Sequence, residues 1–179
     1  MTCIVGLVDK GKVYLGGDSC GSSGTNYSVR KDKKVFKNGN MVFGFTDSFR
    51  MGQILRYSFK PPKQPKNTDD FEFLCSTFID SLVETFTKYG YIKNPTTRPE
   101  GGVFILGYKG NIYKVWQDFQ VQQNYENFLA CGCGQAYALG ALKVLSSYDI
   151  HPTKKIEMAL KTAESFDSAV KGPFTTVIL

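Results

Sequence analysis

Thr2-Cys3-Ile4-Val5-Gly6-Leu7-Val8-Asp9-Lys10-Gly11-Lys12-Val13-Tyr14-Leu15-Gly16-Gly17-Asp18 is the stretch on which the fold turns. From Cys3 to Val8 the chain carries no polar side chain beyond the Cys3 thiol, and β-branched residues recur. A run without a polar face reads as a strand covered on both sides. Asp9-Lys10-Gly11 is a tight turn, and Lys12-Val13-Tyr14-Leu15 starts a second strand that ends at Gly16-Gly17-Asp18. A hairpin buried on both faces needs a second sheet against one face and helices against the other.

The rest of the chain supplies these partners. Residues 19–30 are polar and glycine-bearing and read as a loop. Lys34 to Lys37 and Met41 to Phe45 form a second hairpin around Asn38-Gly39-Asn40. A short helix is expected over Met51 to Phe59, and the proline run from Pro61 to Pro65 breaks it. Thr68-Asp69-Asp70 then reads as a cap with an acidic first turn. Phe71, Leu74, Phe78, Leu82 and Phe86 recur at helical spacing as one core-facing stripe, and Gly90 is its stop. Gly102 to Tyr108 and Ile112 to Trp116 form a hairpin around Lys109-Gly110-Asn111, and Phe128 to Cys131 is a further strand. Helices over Gln135 to Ser147 and Thr153 to Ser168 and a closing strand over Phe174 to Leu179 complete the order. Strands come in blocks joined by short turns, so the sheets are antiparallel. The expected fold class is α+β: a four-layer α-β-β-α sandwich of two stacked antiparallel sheets, in a single domain over residues 1–179.

Composition narrows the function. The chain has 179 residues, 42% of them hydrophobic, which suits one domain with a sizeable core. The net charge of +6 serves solubility as well as it would serve an anionic partner. No apolar run approaches the ~20 residues of a membrane span. The N-terminus has no basic region ahead of its apolar stretch, so no signal peptide and a cytoplasmic location are expected. Cys3, Cys20, Cys75, Cys131 and Cys133 are odd in number and show no disulfide framework. Cys131 and Cys133 have no second pair at zinc-ligand spacing, and His151 is the sole histidine, so neither a metal nor a cofactor is expected. A Ser-His-Asp triad would have to use His151, just before Pro152 where a helix begins. The run Arg30-Lys31-Asp32-Lys33-Lys34 lacks the interleaved aromatics of a nucleic-acid platform and reads as solvated charge.

Several motifs together resemble the proteasome β-subunit and HslV-like peptidases, within the N-terminal nucleophile (Ntn) hydrolases. They are Thr2-Cys3-Ile4-Val5-Gly6, the Lys10 to Val13 hairpin, Gly16-Gly17-Asp18 and Lys33-Lys34-Val35. Gly132-Cys133-Gly134-Gln135-Ala136-Tyr137-Ala138 is similar to the family's Gly-Ser-Gly turn before an alanine-rich helix, and Ala159-Leu160-Lys161-Thr162-Ala163 to the helix that follows. Counted from Thr2, Asp18 and Lys34 fall at the family's spacings without a gap.

The resemblance implies a threonine-type peptidase whose nucleophile is Thr2 after removal of Met1. A threonine hydroxyl needs a base, and an N-terminal residue carries one in its own α-amine. Lys34 would place a positive charge beside that amine and favour its free-base form. Asp18 would hold Lys34, and backbone N–H groups near Thr46 would form the oxyanion hole. Cys133 stands where the family has a serine beside the nucleophile. For the late aspartate, Asp167 is the candidate, while an ungapped match puts Ser165 there, and Ser168 stands for the last family serine. The chain also departs from the pattern at Gly44-Phe45-Thr46-Asp47-Ser48, where the family has glycine or alanine and a loop about two residues longer. The implied partners are unfolded polypeptide or peptide substrates, homo-oligomeric rings and an ATP-dependent unfoldase. Two rival readings use the same residues: an inactive proteasome-like scaffold or binding subunit, and a small-molecule amidase.

Overall fold

The computed structural model describes residues 2–23, 26–92 and 99–179. Its elements are β1 (Cys3–Asp9), β2 (Lys12–Gly17), β3 (Cys20–Ser23), β4 (Asn26–Val29), β5 (Val35–Asn38) and β6 (Met41–Phe45), then α1 (Phe49–Tyr57). Next come α2 (Asp70–Phe73) and α3 (Ile79–Lys88), joined by a π-helical segment at Leu74–Phe78. β7 (Phe104–Tyr108), β8 (Asn111–Val115), β9 (Val121–Gln122) and β10 (Phe128–Gly132) precede α4 (Gln135–Leu145), α5 (Pro152–Phe166) and β11 (Thr175–Ile178). One sheet has the order β10-β1-β2-β11 and another β5-β6-β7-β8-β9. Every pairing between described strands is antiparallel.

Period-two alternation sorts the side chains of the buried strands into separate cores. On β1, Cys3, Val5 and Leu7 pack with Ala138 and Leu142 of α4 and Ile156, Leu160 and Ala163 of α5. Ile4, on the opposite face, joins Val13, Leu15 and Leu129 of its own sheet and Val35, Val42, Ile105 and Ile112 of the other. On β6 and β7, Phe43, Phe45, Phe104 and Leu106 pack with Met51 and Ile54 of α1 and Phe78, Leu82 and Phe86 of the second helical run. The run at Cys3 to Val8 is therefore apolar throughout because its alternate residues belong to different cores.

Residues 19–30 are not simply a loop: β3 and β4 pair across them, from Cys20↔Val29 to Ser23↔Asn26. Asn26-Tyr27-Ser28-Val29 alternates polar and apolar, but all four β4 side chains are exposed, so neither face of the strand enters a core. The first helix starts at Phe49, earlier than expected, because Ser48 accepts a hydrogen bond from the Met51 N–H as its N-cap. Asp69 caps the second helical run as expected, accepting from the N–H groups of Phe71 and Glu72. The lone histidine caps α5: His151 accepts from the Thr153 N–H, and Pro152 follows in the first turn. No helix among the described residues is long and apolar enough to cross a membrane.

Candidate active site

Antiparallel pairing gathers the site. Thr2 lies just before β1, and both neighbours of β1 run the other way, so the C-terminal ends of β2 and β10 arrive beside it. Ile4 pairs with Gly17 and Cys3 with Gly132. Asp18 follows β2 and Cys133 follows β10, while Lys34 immediately precedes β5 in the other sheet. Gly17 lets that sheet come close: a Cβ there would meet Ile4 Cδ1 at 2.9 Å and Val35 Cγ1 at 3.1 Å.

Lys34 Nζ donates to Thr2 Oγ1 at 2.7 Å and to Asp18 Oδ1 at 2.9 Å. The residues are buried, with relative exposures of 3% for Thr2, 2% for Asp18 and 1% for Lys34. A buried ion pair is tolerated only when its remaining polar atoms are satisfied. Asp18 meets that condition: Oδ1 also accepts from the Cys3 N–H at 3.0 Å, and Oδ2 accepts from the Cys20 N–H at 2.9 Å and the Lys171 N–H at 3.5 Å. Lys34 Nζ stands 5.7 Å from the centre of the Phe49 ring, whose far partner is the Arg30 guanidinium at 3.7 Å.

Cys133 Sγ accepts from the Thr2 N–H at 3.2 Å, and its single S–H proton is shared between the Thr2 carbonyl, at 3.4 Å, and Asp167. The residue is exposed as a whole, yet its sulfur is tucked beside Thr2 and Asp167. That burial, and then a hydrogen bond with Asp167, pushes the Cys133 thiol above its ordinary value. It is therefore a neutral donor and acceptor of the kind a serine would be. Asp167 closes α5, and its carboxylate also accepts from the Ala169 N–H. The other two candidates from the end of α5 are exposed: Ser165 donates back to the Lys161 carbonyl on its own helix, and Ser168 lies one residue past Asp167.

The turn after β6 has its own hydrogen bonds. The Thr46 N–H donates to the Val103 carbonyl at 3.1 Å, the Asp47 N–H to Thr46 Oγ1 at 2.6 Å, and the Ser48 N–H to the Thr46 carbonyl at 2.7 Å. Asp47 takes a positive φ of 62°. Its carboxylate turns to the Val103 N–H at 2.9 Å and the Thr46 hydroxyl at 3.1 Å. Sequence reasoning missed the backbone donors of Cys3, Cys20 and Lys171 that hold Asp18. It also missed Phe49 over the Lys34 amine. The donors carry no residue-type signal, but an aromatic residue at the start of the helix after a strand end was a readable hint.

No family model matches the chain, and no curated protein matches it. Solved structures do. Thiobacillus denitrificans BPH in complex with epoxomicin aligns with a TM-score of 0.81 at 17% identity, over 99% of this chain and 98% of that one. Eukaryotic HslV from Trypanosoma brucei aligns at 0.71 and 17% identity, over 99% of both chains. The Anbu Gly-1 mutant from Hyphomicrobium sp. strain MC1 aligns at 0.70 and 14% identity, over 100% of this chain and 81% of that one. Superposed over 99–100% of its own length on these structures, the chain carries an HslV-like fold of the proteasome type.

Proposed function

We propose that this chain is a threonine-type peptidase of the N-terminal nucleophile class, active once Met1 is removed. The observation that carries the reading is the buried Asp18–Lys34 pair whose ammonium donates to Thr2 Oγ1. After removal of Met1, the Thr2 nitrogen becomes a free α-amine beside Cys133, whose thiol is hydrogen-bonded to Asp167. That amine takes the hydroxyl proton while Oγ1 bonds to the substrate's carbonyl carbon. The carbonyl oxygen becomes the oxyanion. The C–N bond then breaks, and the departing nitrogen takes the proton from the ammonium. Water hydrolyses the Thr2 ester by the same relay in reverse. Lys34 steadies the alkoxide character on Oγ1, Asp18 positions Lys34, and Cys133 with Asp167 positions the amine. The remaining elements of the reading are a single domain arranged as a four-layer α-β-β-α sandwich, supported by the separate apolar cores, and homo-oligomeric rings. Those rings would enclose the site, receive unfolded chains from an ATP-driven unfoldase, and work in the cytoplasm.

Intact-mass measurement with and without epoxomicin, the compound bound in the solved BPH complex, tests this directly, followed by a peptide map. The expected result is loss of Met1 and a single adduct on Thr2. Retained Met1, or a bare Thr2 that never reacts, would instead support the second reading, a catalytically inactive proteasome-like scaffold.

That second reading has one specific observation in its favour: the N–H groups of Thr46, Asp47 and Ser48 all have partners within the chain. Of these, the Asp47 N–H has the most local acceptor, the preceding side chain. If the chain is a peptidase, Thr46→Ala frees this donor for the oxyanion. A neutral hydrogen bond is worth about 1 kcal/mol, so covalent addition of epoxomicin, whose ketone oxygen becomes the oxyanion, is expected to rise roughly fivefold in a labelling time course. An unchanged or slower rate would remove the Asp47 N–H from the oxyanion role.

A further inference from the structure

A cavity of about 280 Å³ opens between the end of β8, the strand β10 and the first turn of α4. Lys114 lines it. On β8 this residue shares the face of Ile112, which looks into the core between the sheets, so its aliphatic stem follows that core and only 7% of the residue is exposed. Its ammonium meets no carboxylate among the described residues. It donates to Gln135 Oε1 at 3.2 Å and lies 3.8 Å from the Trp116 ring centre. Burial pushes the Lys114 pKa down from its ordinary value, and the smaller influence of the Asp47 carboxylate opposes that only in part.

The other polar groups of the lining are paired in one direction. Gln135 Oε1 is taken by Lys114, Gln122 Oε1 by Trp116 Nε1 at 2.7 Å, and Asn124 Oδ1 by Gln122 Nε2 at 2.5 Å. The side-chain acceptors around the cavity are thus engaged, while donors remain on Lys114, Gln135 and Asn124. Leu129, Ala130 and Leu139 supply an apolar wall. Gln135 and Ala136 begin α4, so the positive end of the helix dipole adds to the field. A buried cation with leftover donors, no ion-paired carboxylate among the described residues and an apolar wall is complementary to one negative charge on an apolar body.

We propose that this cavity is a binding site for a carboxylate carried on a short apolar stem, either a free acid or the acidic side chain of a peptide. The site is distinct from Thr2 and its occupancy does not depend on Thr2 being reactive.

Trp116 is the only tryptophan in the sequence and forms part of the cavity wall, so its emission reports directly on the site. Butyrate is titrated into the full chain at constant ionic strength, with butyramide as the neutral counterpart. Acetyl-Ala-Glu-Ala-amide and its Gln analogue are titrated into the Thr2→Ala chain, where the peptide is not consumed. Saturable change with a carboxylate probe, absent with its neutral counterpart and at least tenfold weaker in Lys114→Met, is the expected result. Lys114→Met should melt no lower than the parent, since it removes a buried charge without an ionic partner. A response to the Glu peptide assigns the site to peptide side chains, and a response to butyrate alone assigns it to free acids. Equal response to the neutral probes, a response that survives Lys114→Met, or no saturable response to any probe overturns the proposal.

Discussion

Lys34→Ala is expected to cost about 3 kcal/mol of folding stability, toward the lower end of the range for breaking a buried pair. Removing the ammonium strands the Asp18 carboxylate, which is 2% exposed. The N–H groups of Cys3, Cys20 and Lys171 still reach it, which keeps the cost from the upper end of that range. Because the pair lies away from solvent, added salt should change the loss little. The Asp18→Asn/Lys34→Met double variant should recover part of the stability: no uncompensated charge remains, but the amide NH2 of Asn faces a backbone N–H that an Asp18 oxygen had accepted from. Denaturant titration measures both. Catalysis should behave differently. In the single and the double variant alike, Thr2 Oγ1 loses the donor at 2.7 Å, and epoxomicin labelling of Thr2 should fall about 10²- to 10³-fold, the scale for one preorganised donor. If labelling stays within tenfold of the parent, Lys34 is a structural partner of Asp18 and nothing more. Stability and labelling therefore separate the structural role of the pair from the chemical one.

What could be read from the sequence follows from which signals are local. The two-sided burial of β1 was legible because alternate residues enter different cores, which leaves no polar position from Cys3 to Val8. Asp18 was legible by itself only as the end of the second strand; its place beside Thr2 came from the resemblance, and the register set by the turn at Asp9-Lys10-Gly11 is what brings the two strand ends together. Lys34 was reached by resemblance alone, since nothing in a basic run marks one lysine as buried. The β3–β4 hairpin was hidden because β4 is exposed on both faces and lies in a polar, glycine-bearing stretch. The occupied N–H groups after β6 were hidden because the Thr46 donor is consumed by Val103, far away in sequence. Lys114 was in plain view: Ile112-Tyr113-Lys114-Val115 places a charge on an inward strand face, and that alternation was the signal.

Gly132→Ala is expected to disrupt the site more selectively than any change in the core. Gly132 ends β10 with φ at +97°, a conformation that side chains rarely adopt. A Cβ there would lie 2.1 Å from the Thr2 carbonyl oxygen and 2.8 Å from its carbon. The obstacle is the backbone of the nucleophile, so no side-chain rotation relieves it. Either the turn or Thr2 has to move, and Thr2 is the freer of the two because it lies outside the β1 ladder. A displacement of about 1 Å at a reacting atom costs about 10²-fold in rate, so epoxomicin labelling of Thr2 should fall at least that far. The Thr2 N–H and carbonyl would also leave Cys133, at 3.2 Å and 3.4 Å, disturbing the position of the future amine. Gly140→Ala in α4 is the control: a Cβ there meets nothing within 4 Å, and helix propensity should raise stability by roughly 0.5–1 kcal/mol without altering labelling. Normal labelling in Gly132→Ala would mean that the turn yields instead of Thr2, and that the Gly-Cys-Gly segment does not set the nucleophile's position.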